Sequence, residues 1–311
     1  MTDQVHMIID CDVGVDDAQA IMLALAMPNV ELVAITCVAG NVDVDKVCIN
    51  TLKVLEVCDR LDVPVYKGAT SAILGNIERA EFYHGQDGMG DADGIAGPDL
   101  TMIKQEVAAI ALVRMVNERP GQISIAAIGP LTNIAIAMKL DPNFTQKLKN
   151  IVIMGGELEG KAAAFLTSEF NFTCDPEAIQ IVLSGSHCPV DLLPFEVCTN
   201  YGFSSDFFED LISHNSRKAK FIKAITAGSL EKDLRRAGQY IPCDLYAIAS
   251  LVKKSCVTRR DHVHVQVELH GSLTRGKMIT DWNKKVSQDH NINIITEMDM
   301  DSLKVMYSKT V

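Results

Sequence analysis

The chain has 311 residues, of which 48% are hydrophobic and 22% are charged, a composition typical of a globular protein with a substantial core. Its net charge of −11, from 29 basic and 40 acidic residues, disfavours nucleic acid or an anionic membrane as a partner. The nine cysteines are odd in number and include no Cys-x-x-Cys pair, which argues against a disulfide framework or a zinc site. We predict a soluble protein of the reducing cytoplasm, because the sequence shows neither a signal peptide nor an apolar run of the roughly 20 residues that span a bilayer.

Short apolar runs alternate with helical patterns through the first two-thirds of the chain. The predicted strands are Val5–Asp10, Val30–Val38, Gln122–Ile128 and Asn150–Met154. The predicted helices are Asp16–Met27, Asp45–Cys58 and Leu131–Leu140. Apolar strands separated by helices indicate βαβ crossovers, and therefore a parallel sheet that helices cover on both faces.

Two long irregular segments, Lys67–Leu100 and Gly155–Thr173, interrupt this alternation, and long loops of a compact domain are commonly functional. Past Asp244, a short helix precedes His262–His270, whose period-2 alternation predicts an antiparallel extension of the sheet. The chain has no evident linker, low-complexity tract or internal repeat. We therefore predict a single α/β domain over residues 1–311, with an open, mostly parallel, doubly wound sheet and a short antiparallel extension near the C-terminus.

Four acids fall within eight residues at the carboxyl end of the first predicted strand: Asp10, Asp12, Asp16 and Asp17. Open α/β sheets bind their ligands at this end, and Gly14 allows a tight turn that lets Asp12 and Asp17 converge. Uncompensated, clustered acids repel one another, whereas Ca²⁺ or Mg²⁺ accepts carboxylate oxygens as ligands. Capping of the following helix explains Asp16 and Asp17 but not the two acids on the strand.

Several motifs in a fixed order resemble the nucleoside hydrolase family of the inosine–uridine preferring type. The first is Asp10–Ala18, which reads DCDVGVDDA. The others are VAGN at Val38–Asn41, HGQDG at His84–Gly88, IGPLTN at Ile128–Asn133, MGG at Met154–Gly156, EFN at Glu169–Asn171, DPEA at Asp175–Ala178, and Cys243–Asp244. A strand ending in Asp-x-Asp also occurs in phosphatases of the haloacid dehalogenase type, but that class gives no reason for the EFN and IGPLTN blocks.

The resemblance implies hydrolysis of the N-glycosidic bond of a ribonucleoside to free base and ribose, with a metal-bound water as nucleophile and Asp12 as general base. Carboxylates would stabilise the oxocarbenium-like transition state of this reaction. The implied Ca²⁺ ligands are Asp12, Asp17, Asp244 and the backbone carbonyl of Ile128. The implied ribose contacts are Asp16, Asn41, Met154, Glu169, Asn171 and Asp244. The resemblance also implies a homodimer or homotetramer.

Two positions depart from the family pattern. Cys243 stands where the best-studied branch has a His that assists the leaving base, so Cys243, His84, Tyr240 and stacking are all candidates for activating the base. Ala163 stands where the family often has an Asn that contacts the 5′-hydroxyl. These departures leave open a non-catalytic nucleoside- or ribose-binding descendant as an alternative function.

The spacing of Glu169 and Asn171 around Phe170 is that of a strand, which would place both side chains on one face. Base selectivity is expected to depend on loop side chains at the mouth of the pocket, within Ile73–Asp93 and Tyr201–Tyr240.

Overall fold

The computed structural model describes residues 4–95, 98–161, 166–287, 289 and 291–311. The strands in these residues are β1 (Val5–Cys11), β2 (Val30–Cys37), β3 (Val65–Lys67), β4 (Ile103–Lys104), β5 (Ile123–Ala127), β6 (Asn150–Met154), β7 (Val190–Leu193), β8 (Val257–Val263), β9 (Val265–Val267), β10 (Met278–Thr280) and β11 (Ile292–Met298). The α-helices are α1 (Val15–Ala26), α2 (Val44–Val57), α3 (Glu81–His84), α4 (Ala108–Glu118), α5 (Thr132–Leu140), α6 (Phe170–Cys174), α7 (Pro176–Gly185), α8 (Phe195–Asn200), α9 (Ser205–Ser213), α10 (Arg217–Ala237), α11 (Cys243–Val252) and α12 (Met300–Tyr307).

Nine strands form one sheet in the order β4-β3-β2-β1-β5-β6-β7-β11-β8, in which β11 and β8 are antiparallel and the other neighbours are parallel. β1 lies between β2 and β5, so the chain winds outward in both directions from this point. Such a reversal of strand order opens a crevice at the carboxyl ends of the strands, where α/β proteins bind ligands. Here the crevice lies between the ends of β1 and β5, which carry the segments after Cys11 and Ala127.

Helices cover both faces of the sheet, because alternate residues of its central strands enter two separate hydrophobic clusters. Met7, Ile9 and Cys11 of β1 pack in the cluster that contains residues of α1, α2 and α11. Ile8 packs in the cluster that contains residues of α4, α5 and α7. The predicted doubly wound α/β architecture is therefore confirmed, and the predicted boundaries of β1, β2, α1 and α2 agree with the structure within one residue.

The alternating segment His262–His270 differs from its prediction as one extension of the sheet. The structure divides it between β8, which pairs with β11, and β9, which pairs with β10 in a separate two-stranded antiparallel sheet. The side chain of Asn291 accepts a hydrogen bond from Val265 N at 2.8 Å and donates one to Val265 O at 3.1 Å. This amide satisfies the backbone groups that a neighbouring strand would otherwise bind, so the ladder ends there.

The two irregular segments hold little regular structure, as predicted. Lys67–Leu100 contains the short helix α3, and the second segment stays irregular up to α6 in the residues described. Ala163 lies outside the described residues. Among the helices that the structure describes, none combines the length and apolar character needed to cross a bilayer. The assignment of residues 1–311 to one domain stays a prediction.

We expect Asn133→Ala to lower the free energy of unfolding by about 2–4 kcal/mol, because it removes three hydrogen bonds of a buried side chain, one of them to the buried Asp10 carboxylate. Asn133 Nδ2 donates to Asp10 Oδ2 at 2.9 Å and to Cys37 O at 3.0 Å, and its Oδ1 accepts from Ala69 N at 2.8 Å. Urea unfolding followed by circular dichroism measures the change. The exposed Asn143→Ala is the control, and an equal midpoint for the two variants would contradict the prediction.

Candidate active site

Three buried carboxylates meet at the carboxyl edge of the sheet. Asp16 and Asp17 lie in the first turn of α1, and Asp244 lies in the first turn of α11. One oxygen of each lies within 4.8 Å of the corresponding oxygens of the other two. Both helices point their N-termini at this cluster, and the positive end of a helix dipole favours negative charge. The fold thus collects acids that are separated by more than 200 residues in the chain.

Asp12 belongs to the same hydrogen-bonded network, from the loop that follows β1. Asp17 Oδ2 accepts from Gly14 N at 2.8 Å, and Asp17 Oδ1 accepts from Asp12 N at 3.3 Å. Asp12 Oδ2 accepts from Asn41 N at 2.8 Å. Asn41 also donates its side-chain amide to Asp17 Oδ2 at 3.2 Å. These bonds fix the orientation of Asp12 relative to the three converging acids.

Two glycines allow neighbouring loops to approach the Asp12 carboxylate. A Cβ atom added at Gly40 would lie 2.0 Å from Asp12 Oδ2, and one added at Gly129 would lie 2.8 Å from Asp12 Oδ1. Because carbon atoms do not approach oxygen so closely, a side chain at either position would displace the carboxylate. The VAGN and IGPLTN motifs therefore have a common steric role beside Asp12.

The acids of this cluster are costly to ionise. Burial raises the pKa of Asp16 to about 8 and that of Asp17 to about 6. Burial, reinforced by neighbouring carboxylates, also raises the pKa of Asp12 and Asp244 well above the usual range. Within the described residues, no Lys or Arg forms an ion pair with these four acids. Carboxylate oxygens without a cationic partner suit a hard divalent cation such as Ca²⁺ or Mg²⁺, so the residues present fit a metal site.

Ile128, Met154 and Asn171 meet beside the acidic cluster. Asn171 Nδ2 donates to Ile128 O at 3.0 Å and to Met154 O at 3.2 Å. The Ile128 carbonyl, which the sequence predicts as a metal ligand, keeps a second lone pair beyond this bond. Ile128 follows β5 and Met154 ends β6, so the carboxyl ends of two neighbouring strands supply this wall.

Glu169 and Asn171 do not lie on a strand, which corrects the expectation from their spacing. Glu169 is the N-cap of α6, and its carboxylate accepts backbone N–H bonds from Asn171 at 2.9 Å and Phe172 at 3.2 Å. These bonds end the preceding loop and start a helix at Phe170. Burial raises the pKa of Glu169 to about 7.

One cavity of about 130 Å³ collects most of the predicted site residues. Those that line it are Asp12, Asp16, Asn41, His84, Ile128, Met154, Glu169, Asn171, Cys243 and Asp244. Asp17 is fully buried behind this surface. The sequence therefore predicts residues that the fold brings together, although their chemical roles stay predictions.

The rest of the lining is mainly aromatic or apolar and was not predicted residue by residue. It consists of Ala80, Phe82, Tyr83, Phe170, Phe195, Arg236 and Ile241. Phe82, Tyr83 and Arg236 fall within the ranges expected to govern base selectivity. Phe195 lies just after β7, a strand that the sequence pattern did not identify, so its place at the carboxyl edge could not be inferred.

His84 is buried and neutral. Its Nδ1 accepts a hydrogen bond from Val15 N at 3.1 Å, so the ring proton must be on Nε2. Burial lowers the pKa of His84 to about 3, which keeps the imidazole uncharged. Asp16 Oδ1 lies 3.9 Å from Nδ1. His84 can therefore donate a neutral N–H bond from the cavity wall.

Cys243 is the first residue of α11 and lines the cavity next to Asp244. Hydrogen bonding with Cys198 and burial raise the pKa of the Cys243 thiol, which keeps it protonated. Tyr240, the other candidate, is fully buried, and its hydroxyl accepts a bond from Gln19 Nε2 at 2.6 Å. Tyr240 therefore supports the wall from behind.

We expect Ca²⁺ to raise the Tm of the wild-type protein, because an ion at 100 times its Kd that binds only the folded state adds about 2.7 kcal/mol. Asp244→Asn should lose most of this shift, since it removes one of the three converging carboxylates. In chelator the variant should be at least as stable as wild type, because the Asp244 charge is buried beside Asp16 and Asp17. Scanning calorimetry with Ca²⁺, Mg²⁺ or chelator measures both effects.

The control for this experiment is Asp210→Asn, which changes an exposed acid of α9 and should keep the full Ca²⁺ shift. An Asp244→Asn protein whose Ca²⁺ shift equals that of wild type would show that the ion binds elsewhere.

Comparisons with known proteins agree with this description. Residues 7–304 match the family model described as inosine-uridine preferring nucleoside hydrolase. The non-specific ribonucleoside hydrolase RihC of Salmonella enteritidis PT4 is 33% identical over 308 residues, which cover 98% of this chain and 96% of that protein. The structure of an inosine-guanosine nucleoside hydrolase matches with a TM-score of 0.92 at 33% identity, covering 99% of this chain and 98% of that chain. A purine-preferring ribonucleoside hydrolase from Gardnerella vaginalis matches with a TM-score of 0.89 at 26% identity, covering 98% and 97%.

The family match includes every segment that contributes to the cavity, from the end of β1 to the start of α11. It also includes the EFN and IGPLTN blocks, for which a phosphatase gives no reason. The solved relatives share nearly the whole length of the fold rather than the site alone. This chain therefore belongs to the inosine-uridine preferring nucleoside hydrolase family and is an N-glycosidase.

Proposed function

We propose that this protein uses Ca²⁺ to hydrolyse the N-glycosidic bond of ribonucleosides, releasing free base and ribose. The observation that carries the proposal is one cavity lined by two groups of side chains. The acidic side consists of Asp12, Asp16 and Asp244, and the aromatic side consists of Phe82, Tyr83 and Phe195 with Arg236. A ribonucleoside has the matching division, because its sugar offers hydroxyl groups and its base offers a flat π-surface. The relatives are a non-specific ribonucleoside hydrolase, an inosine-guanosine nucleoside hydrolase and a purine-preferring ribonucleoside hydrolase, so they agree on nucleoside hydrolysis and differ in the base.

Asp12, Asp17, Asp244 and the Ile128 carbonyl would hold the ion, with Asp16 beside them. Asp17 and Asp244 belong to the three converging carboxylates, and Asp12 is joined to Asp17 by a hydrogen bond from its backbone N–H. The elevated pKa values of these acids, which a divalent cation would lower, also support the set. Bound Ca²⁺ would supply a Lewis acid that increases the acidity of water and favours the hydroxyl groups of a sugar as ligands.

Asp12 is the proposed general base. Its carboxylate is oriented by Asn41 N and confined by Gly40 and Gly129, so it is held in one place before a substrate arrives. General-base catalysis typically contributes about 10²–10⁴-fold to the rate. The surrounding carboxylates also stabilise the positive charge that develops on the ribosyl group.

The sugar is proposed to lie against Asp16, Asn41, Met154, Glu169, Asn171 and Asp244. Five of these residues carry hydrogen-bonding side chains, and each is at least nine-tenths buried. Buried polar groups that lose their partner cost free energy, so a substrate lacking one hydroxyl is rejected strongly. This argument supports a preference for ribose over 2′-deoxyribose.

The leaving base is proposed to receive a hydrogen bond from His84 Nε2–H, because Nδ1 is already occupied by Val15 N. The neutral thiol of Cys243, which also lines the cavity, is a weaker donor. This division of roles is compatible with an active enzyme and does not require the His that the best-studied branch of the family has at position 243. The nine free thiols support a cytoplasmic location.

The first prediction is Ca²⁺-dependent release of reducing sugar from inosine, uridine, adenosine or cytidine, and none from 2′-deoxyinosine. Chelator should abolish release and added Ca²⁺ should restore it. Asp12→Asn should lower kcat by about 10²–10⁴-fold, the usual contribution of a general base. A reducing-sugar assay on the purified protein measures all of these rates.

Binding of a ribonucleoside without any release of ribose, with Ca²⁺ shown to be present, would support the non-catalytic descendant instead. Release that is insensitive to chelator would contradict the metal-dependent mechanism.

The second prediction separates His84 from Cys243. We expect His84→Ala to lower kcat for nucleosides by about 10²-fold, as for removal of one donor to developing negative charge. Cys243→Ser should change kcat by less than about tenfold, because the thiol is a weak hydrogen-bond donor and the serine hydroxyl can donate in its place. Steady-state kinetics on nucleosides and on 4-nitrophenyl ribofuranoside measure the difference.

The aryl riboside is the control substrate, because its leaving group is stable without a proton. His84→Ala should hydrolyse it at a rate close to that of wild type. A loss of more than a hundredfold in Cys243→Ser for nucleosides alone would instead assign the leaving-group role to the thiol.

A further inference from the structure

A buried acid, Asp233, lies behind the aromatic side of the cavity. It is in α10, a polar helix, yet it is 1% exposed. Its Oδ2 accepts a bond from Tyr83 OH at 2.8 Å and from Ile241 N at 3.0 Å. Its Oδ1 lies 3.4 Å from Arg236 Nη2. One carboxylate therefore binds three residues that line the cavity.

These contacts join three separate segments of the chain. Tyr83 belongs to α3, Arg236 belongs to the last turn of α10, and Ile241 belongs to the segment that leads into α11. The Arg236 guanidinium also lies over the ring of Phe195, 5.2 Å from its centroid. Asp233 therefore acts on Phe195 as well, through Arg236.

The segment around Tyr83 depends on such contacts for its position. α3 has four residues, and a helix of this length is unstable without tertiary contacts. Gly85 follows the helix directly, and its φ of +84° changes the direction of the chain there. Lys232, adjacent to Asp233, adds a bond from Nζ to Tyr83 O at 3.3 Å. α10 is thus the support against which α3 is held.

The cost of burying Asp233 supports a specific role. Burial raises the pKa of this carboxyl, and the bonds from Tyr83 and Ile241 offset part of the rise. Replacing a buried acid by an apolar residue of similar size often leaves the free energy of unfolding unchanged or raises it, so stability alone does not explain an acid at this position. Its three directed contacts, in contrast, fix the distance between α3, α10 and the start of α11.

We propose that Asp233 is a positioning residue that sets the width of the base-binding side of the cavity, by binding Tyr83, Arg236 and Ile241 at once. The inference rests on the proposed nucleoside hydrolysis and adds the residue that governs affinity for the base. Asp233 does not line the cavity, so it acts through its three partners.

The test compares Asp233→Ala, Asp233→Asn and Tyr83→Phe with wild type in steady-state kinetics on inosine and uridine. Asp233→Asn keeps an acceptor for Tyr83 and Ile241 but loses the charge facing Arg236. Tyr83→Phe removes one donor and keeps the ring. We expect KM to rise about tenfold in Asp233→Ala, the effect of losing hydrogen bonds to a charged group, and less in the two milder variants, with kcat within about threefold of wild type.

The double variant Asp233→Ala/Tyr83→Phe gives a sharper criterion. Because the Tyr83 hydroxyl acts through Asp233, the double variant should have the KM of Asp233→Ala within about twofold. Multiplicative effects of the two substitutions would overturn the proposal. Glu231→Gln, an exposed acid two residues away that pairs with Arg235, is the matched control and should keep the wild-type KM.

The outcomes separate this inference from the proposed function. If wild type hydrolyses neither nucleoside, the proposed function fails, and calorimetric Kd values for the same nucleosides replace KM in the comparison. If wild type is active and Asp233→Ala lowers only Tm, or only kcat, the positioning role is wrong. If Asp233→Ala does not fold, the milder variants Asp233→Asn and Tyr83→Phe decide the question by the same KM criterion.

Discussion

The burial of four neighbouring carboxylates is the constraint on which the rest of this structure depends. The four acids are all removed from water, and Asp244 is more than 200 residues away in the chain from Asp12, Asp16 and Asp17. The backbone offsets part of the cost of burying these charges. The N-termini of α1 and α11 point at the acids, and the N–H groups of Gly14 and Asn41 donate hydrogen bonds to Asp17 and Asp12. The remaining excess of negative charge is the reason that a divalent cation fits the site.

The sheet topology makes this convergence possible. β1 is central, and the order of strands reverses beside it, so the loops after β1 and β5 enclose one crevice. Gly40, in the loop after β2, and Gly129, in the loop after β5, let these loops reach the Asp12 carboxylate without a side chain in between. The acidic side of the cavity is therefore built from the rigid edge of the sheet. Its aromatic side is built from α3, α8 and α10, of which α3 and α10 are connected to the sheet through longer segments.

The sequence predicts the acidic side well, because its residues follow strands whose apolar runs are easily recognised. Asp12, Ile128 and Met154 each stand at or just after the end of such a run. The aromatic side is less predictable, since Tyr83 and Arg236 come from segments whose position is fixed by tertiary contacts. Glu169 is hard to predict for a different reason. The spacing of Glu169 and Asn171 indicates a strand, but the Glu169 carboxylate accepts hydrogen bonds from the backbone N–H groups that follow it and starts a helix. Local hydrogen bonding of this kind overrides periodicity over three residues.

Asp233 carries no signal in the sequence at all. It stands in a helix rich in Lys and Arg, where an acid is ordinarily exposed. Its burial follows from the packing of α10 against α3 and the segment before α11, and this packing involves residues 150 positions apart. Sites that depend on such long-range contacts require the three-dimensional structure.

The length of the Glu169 side chain has a consequence for tolerance to substitution. As an N-cap Glu169 starts α6, where Ser, Asp or Asn is ordinarily the better choice. The longer glutamate also accepts a hydrogen bond from Gly156 N at 3.0 Å and lines the cavity. A shorter acid at position 169 would therefore keep a helix cap but give up the bond that ties the loop after β6 to the start of α6.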